Sequence, residues 1–174
     1  MRAHDLHMVA AIDEQNRMVM ITGGIDVNDI TIVMRTELPS AGTWTIMKAE
    51  TNLTDKTWYG WQVTLGSDIT VPMAGNKPQL LTSRNFEHAR YVPETNTVGF
   101  YGGEIRPGEP ILKFYTIETR VPRIVMGHNR IIDEADAELM AEGQLLGVGL
   151  PKLEIAVPTK KIAIPDVYRI SKVG

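Results

Sequence analysis

The sequence predicts a mostly β domain: a sandwich or barrel-like arrangement of about ten short antiparallel strands, with one helix in the C-terminal half. Three observations carry this. Apolar residues recur with a period of two through most of the chain. Gly, Pro, Asn and Asp clusters break those runs at short intervals. Only one segment has the composition of a helix.

Taken in order, Met1 to His7 reads as a polar N-terminal arm, and residues 8–174 read as a single β-rich domain. Val9-Ala10-Ala11-Ile12 and Arg17 to Ile21 flank the polar loop Asp13 to Asn16, a hairpin pattern. Ile30, Ile32, Met34 and Leu38 alternate with Thr31, Arg35 and Glu37. Trp44 and Ile46 continue that period, and Tyr59, Trp61, Val63 and Leu65 repeat it. Arg90 to Val92 and Thr97 to Tyr101 enclose Pro93 to Asn96, a second hairpin. Ile111 to Val121 forms a long strand whose apolar character is diluted by Lys113, Glu118 and Arg120. Asp133 to Glu142 is the helix, with Asp133 as N-cap, acids in the first turn and Gly143 or Gly147 as the stop. Ile132, Ala135, Leu139 and Leu146 mark its apolar stripe.

Composition narrows the function classes. Hydrophobic residues make up 43% and charged residues 22%, enough apolar material for a packed core. The net charge is −3 with no basic run, so no nucleic-acid partner is expected. There is no cysteine, which excludes disulfides, thiolate metal sites and a cysteine nucleophile. The N-terminal apolar run is too short for a signal peptide, and no stretch approaches the roughly 20 residues that span a bilayer. Cytoplasmic synthesis, with residence there or in a virion and no membrane partner, is the expectation.

Candidate chemistry is sparse. His4 and His7 have a metal-ligand spacing but sit in the arm, with no carboxylates around them. His128, in Met126-Gly127-His128-Asn129-Arg130, reads as a solvated loop histidine. Asp26-Val27-Asn28-Asp29 lacks the spacing of a calcium loop and reads as an Asx-turn before a strand. Asn52-Leu53-Thr54 is a chance glycosylation sequon. No catalytic, cofactor or metal residues are assigned. Trp44 and Trp61 fall on apolar strand faces. Trp58 falls on the opposite face and, if exposed there, forms an interface anchor together with Tyr59.

Met8 to Arg17, Gly75 to Arg84 and Gly99 to Ile105 resemble, in that order, segments of dihydrofolate reductase: its first strand and turn, a later strand, and its cofactor-contacting double glycine at Gly102-Gly103. The resemblance implies an NADPH-dependent enzyme, with Asp29 matching the acidic substrate ligand only through a shortened loop, since the family's proline–tryptophan loop is missing after Arg17. The sequence departs from that pattern where Asn76 replaces the substrate-binding arginine, where Lys48 stands near an expected glycine, and in lacking the helices between strands.

With no convergent polar group, the leading expectation is a non-enzymatic structural or interaction protein of a multi-copy assembly, such as a phage capsid-decorating or tail protein, self-associating and without a cofactor. A reductase-like enzyme and a small-ligand or carbohydrate-binding sandwich are the alternatives.

Overall fold

The structure, a computed structural model, describes residues 7–162. The arm, apart from His7, and the last twelve residues lie outside the described residues. Among the described residues the fold is β-rich with one helix, as the periodicity indicates. The described residues hold fifteen strands rather than about ten. Several of the extra ones are two- or three-residue pairings too short to leave a period in the sequence.

Two sheets face one another. The first contains β1 (Met8–Asp13), β2 (Met18–Ile25), β4 (Gly42–Asn52), β6 (Ile69–Thr70), β9 (Leu81–Ser83), β12 (Pro110–Thr119) and β15 (Thr159–Lys161). The second contains β3 (Thr31–Glu37), β5 (Trp58–Leu65), β10 (Phe86–Val92), β11 (Thr97–Ile105), β13 (Arg123–Ile131) and β14 (Lys152–Ala156). β7 (Met73–Ala74) and β8 (Lys77–Pro78) form a separate small hairpin.

The chain passes back and forth between the sheets, and this corrects the expectation of purely antiparallel strands. Because β3 lies in the second sheet, β2 and β4 return to the first in the same direction and pair parallel. β14 pairs parallel with β3, and β15 pairs parallel with β1. Only Val157 and Pro158 separate these last two strands. Val157 N donates to Arg35 O, and Ala10 N donates to Pro158 O, so one extended segment stitches the two sheets at this edge. At the other edge β9 pairs with β12, and two residues later β10 joins β11.

Both expected hairpins form, each closing through a residue in the left-handed region: Arg17 at φ 52° and Asn96 at φ 53°. The helix α1 (Glu134–Ala141) is capped by Asp133, whose carboxylate accepts from Ala135 N at 2.7 Å. Its buried contact differs from the expected stripe. Ile132 and Leu139 are exposed, and Met140 packs instead into a notch over the outer face of β5 and β11. A Cβ at Gly99 would lie 3.1 Å from Met140, and one at Gly60 would lie 2.9 Å from it, so the two glycines make room for that side chain.

The three segments resembling dihydrofolate reductase fall in β1 and its turn, in β8–β9, and in β11 of the opposite sheet. The reductase pattern of helices between strands is not present among the described residues. A Cβ at Gly103 would meet Asn85 O at 2.1 Å, so this glycine lets two backbones approach one another.

Candidate functional site

The period-two alternation of β4 does more than place Trp44 and Ile46 in the core. Carried forward, it also turns Lys48, Glu50 and Asn52 inward, and all five are buried. On β12 the same rule buries Ile111, Lys113, Tyr115 and Ile117. The register places Lys113 directly opposite Lys48, with Glu50 opposite Ile111. Two lysines facing one another across an antiparallel pair repel, and Glu50 is the acid that holds them. Its Oε2 lies 2.9 Å from Lys113 Nζ and 3.3 Å from Lys48 Nζ, with all three side chains wholly buried.

The second sheet completes the cluster. Inward positions of β5 and β13 supply Trp61, His128 and Arg130, with Trp61 opposite Arg130 and Val63 opposite His128. Lys113 Nζ sits 3.4 Å from the centroid of the Trp61 ring. The same ring packs on His128 at 5.6 Å and on Trp58 at 5.3 Å. His128 Nδ1 lies 3.2 Å from Ile32 O. A carbonyl only accepts, so Nδ1 carries the proton and the Nε2 lone pair faces Lys48 Nζ, with which it makes a short contact. Arg130 donates to His128 O at 2.8 Å and to Ile30 O.

Burial dominates the electrostatics. It pushes His128 well below its ordinary value, helped by the charges of Lys48 and Lys113. It lowers Lys48 against the pull of Glu50, and it takes Lys113 well below the usual lysine range. Arg130 falls to about 10, with Glu50 and the exposed Asp29 opposing the effect of burial. Burial, with Glu50 behind it, raises the Tyr115 phenol well above its usual value. Three basic side chains thus surround one carboxylate inside an apolar sandwich. Glu50 Oε1, Trp61 Nε1 and Arg130 Nε are buried there without hydrogen-bond partners among the described residues.

The chain matches the Family of unknown function (DUF6423) over residues 8–163. The chain belongs to that family. No curated protein and no solved structure matches this DUF6423 chain.

The residues singled out from sequence fare unevenly. Trp58 is completely buried, its Nε1 donating to Asn28 Oδ1 at 2.8 Å, so it is not an exposed anchor. Beyond a register shift in β11 between Tyr101 and Ile105, Trp58 pairs with Ile105, and both are buried in the core. Tyr59 is half-buried beside α1. His128 is a strand residue in the core rather than a solvated loop histidine. Asn52 is buried and donates to Ile105 O and Lys56 O, out of reach as a sequon. His4 lies outside the described residues, among which no three His, Cys, Asp or Glu side chains gather to hold a metal. No helix among them is long and apolar enough to cross a membrane. Lys48, Glu50, Lys113 and Arg130 went unread as a site, and the signal that could have found them is the parity of their strands.

Proposed function

We propose that this DUF6423 chain binds a small organic acid in the interior of its sandwich, with Lys48 and Arg130 supplying the counter-charge beside Lys113. The observation that carries this reading is the gathering of three buried basic side chains around the single carboxylate of Glu50. Buried charges are stable only when paired, and a cluster short of one or two negative charges favours an anion that supplies them. The two unpartnered donors, Trp61 Nε1 and Arg130 Nε, are of the kind a carboxylate accepts from. Arg130 leads from the cluster towards the exposed Asp29, and the loop between β2 and β3 is the natural side of entry. Trp61 and Tyr115 offer an apolar wall to the rest of such a ligand.

Calorimetric titration with short-chain carboxylates checks this. Saturable binding is expected for the wild type, weakened about tenfold or more in Arg130→Met, which corresponds to roughly 1.4 kcal/mol. If no carboxylate binds at millimolar concentration, the reading falls.

A component of a multi-copy assembly, such as a virion protein, is the second reading. It is favoured by the β7–β8 hairpin, which pairs with no other strand among the described residues and exposes Met73. Light scattering is then expected to give a mass of several chains, and a single-chain mass excludes it.

A further inference from the structure

Lys48 and Lys113 share one carboxylate oxygen but are not equivalent. Lys48 Nζ has two acceptors, Glu50 Oε2 at 3.3 Å and the lone pair of His128 Nε2. Among the described residues, Lys113 Nζ has only the same Glu50 oxygen, at 2.9 Å, and otherwise meets the Trp61 ring. The proton surplus of the cluster is therefore held best on Lys48. An aromatic face does attract a cation, but here Lys48 directly opposite and Arg130 nearby set two positive charges against a third. A lysine desolvated beside other cations is the setting in which the amine keeps a free lone pair.

We propose that Lys113 is a nucleophilic amine that forms an imine with the carbonyl group of a small oxo acid. This rests on the organic-acid reading above and names the class of acid: a carboxylate for Arg130 and, close to it, an aldehyde or ketone for Lys113. Burial also holds the Lys113 ammonium form well below its usual range, which favours the same state.

The step balances without oxidant or reductant. The Lys113 Nζ lone pair adds to the carbonyl carbon, and a proton passes from nitrogen to the former carbonyl oxygen, giving a carbinolamine. Lys48 lends a proton to its hydroxyl, the carbon–oxygen bond breaks, and water leaves. The resulting C=N–H nitrogen returns a proton to Lys48. Overall, amine and ketone give imine and water. Lys48 is reprotonated against Glu50 and His128, the two groups that hold it.

The test uses the full chain, pyruvate as the probe, and cyanoborohydride to trap the imine, read by intact mass and peptide mapping. The expected result is a single adduct, adding the mass of pyruvic acid less one oxygen atom, on the peptide containing Lys113. It should form ahead of any on the exposed Lys56, Lys77 and Lys160. Because the map is made on the wild type, it does not depend on a variant folding. Lys113→Met, checked for fold by circular dichroism, should lose the adduct. An adduct confined to Lys48 or to exposed lysines overturns the assignment. Propionate, which has the acid but no ketone, separates the two readings. If propionate and pyruvate both bind and no adduct forms, the imine is overturned while acid binding stands. If acetone is trapped on Lys113 while neither acid binds, the amine assignment is supported and acid binding fails.

Discussion

Glu50→Gln is expected to cost about 3–5 kcal/mol of stability at pH 7, the cost of leaving buried cations without their partner. The amide keeps the shape of the side chain but removes the negative charge between Lys48 and Lys113. The deficit should shrink with rising pH, and the sign follows from linkage. Both lysines have folded values lowered from 10.5, so between the lowered value and 10.5 the unfolded chain binds more protons than the native one. Stability contributed by such a group rises with pH through that window, by at most about 1.4 kcal/mol per pH unit per proton. Removing Glu50 takes away the influence that raises both lysines, so the window widens downward and the variant gains more than the wild type as alkali is added. Tyr115 works the other way but only above 10, where the unfolded phenol ionises first. Urea unfolding between pH 7 and 10 is therefore the measurement. A loss under about 1 kcal/mol would mean that Lys48, like Lys113, is already neutral and needs no acid.

The same cluster allows a second comparison. Replacing Lys48, Glu50 and Lys113 together with Met, Leu and Met should recover most of what Glu50→Gln loses, because a buried ionic group exchanged whole for apolar side chains is often neutral or stabilising. A sandwich that folds as well without the cluster retains it for something other than folding. That is the energetic counterpart of the binding reading.

How legible this was in the sequence depends on which kind of pattern each residue obeys. Trp44 and Trp61 were legible as core because hydropathy and strand parity agree for them, and both are completely buried. The Asp133 cap and the two hairpins were legible because each is a local rule. Lys48, Glu50 and Lys113 break the agreement: their parity turns them inward while their charge argues for solvent. The parity of β4 runs unbroken from Trp44 to Asn52, and sheet geometry prevails because flipping one side chain outward would flip its whole strand. His128 was hidden differently. Its neighbours Asn129 and Gly127 are neither apolar nor exposed, because the outer face of β13 is itself covered. There Asn129 accepts from Thr31 Oγ1 at 2.7 Å, and on the adjacent β5 Gln62 bonds Leu146 in both directions. A strand covered on both faces loses the alternation by which it would be recognised. The parallel pairings were beyond any local reading, since they depend on which sheet the intervening strand joins.

Trp61→Ala should be as damaging as Glu50→Gln, destabilising by about 3–5 kcal/mol as large aromatic truncations in a core do. Its effect should be of a different kind. Trp61 is completely buried, and its ring touches Trp58, His128 and Lys113 together, so the substitution opens one cavity against all three. The loss comes from packing and should vary little between pH 7 and 10, unlike that of Glu50→Gln. Trp61→Phe keeps an aromatic face against Lys113 with a smaller volume, and its cost should be lower than that of the alanine. The two indoles at 5.3 Å and 56° are close enough to couple, so the near-ultraviolet circular dichroism of the folded protein should lose the same feature in Trp61→Phe and in Trp58→Phe. A destabilisation of Trp61→Ala below about 1 kcal/mol would place the ring outside the core. That would remove the wall from Lys113, and with it the low-polarity setting on which the chemistry of the cluster depends.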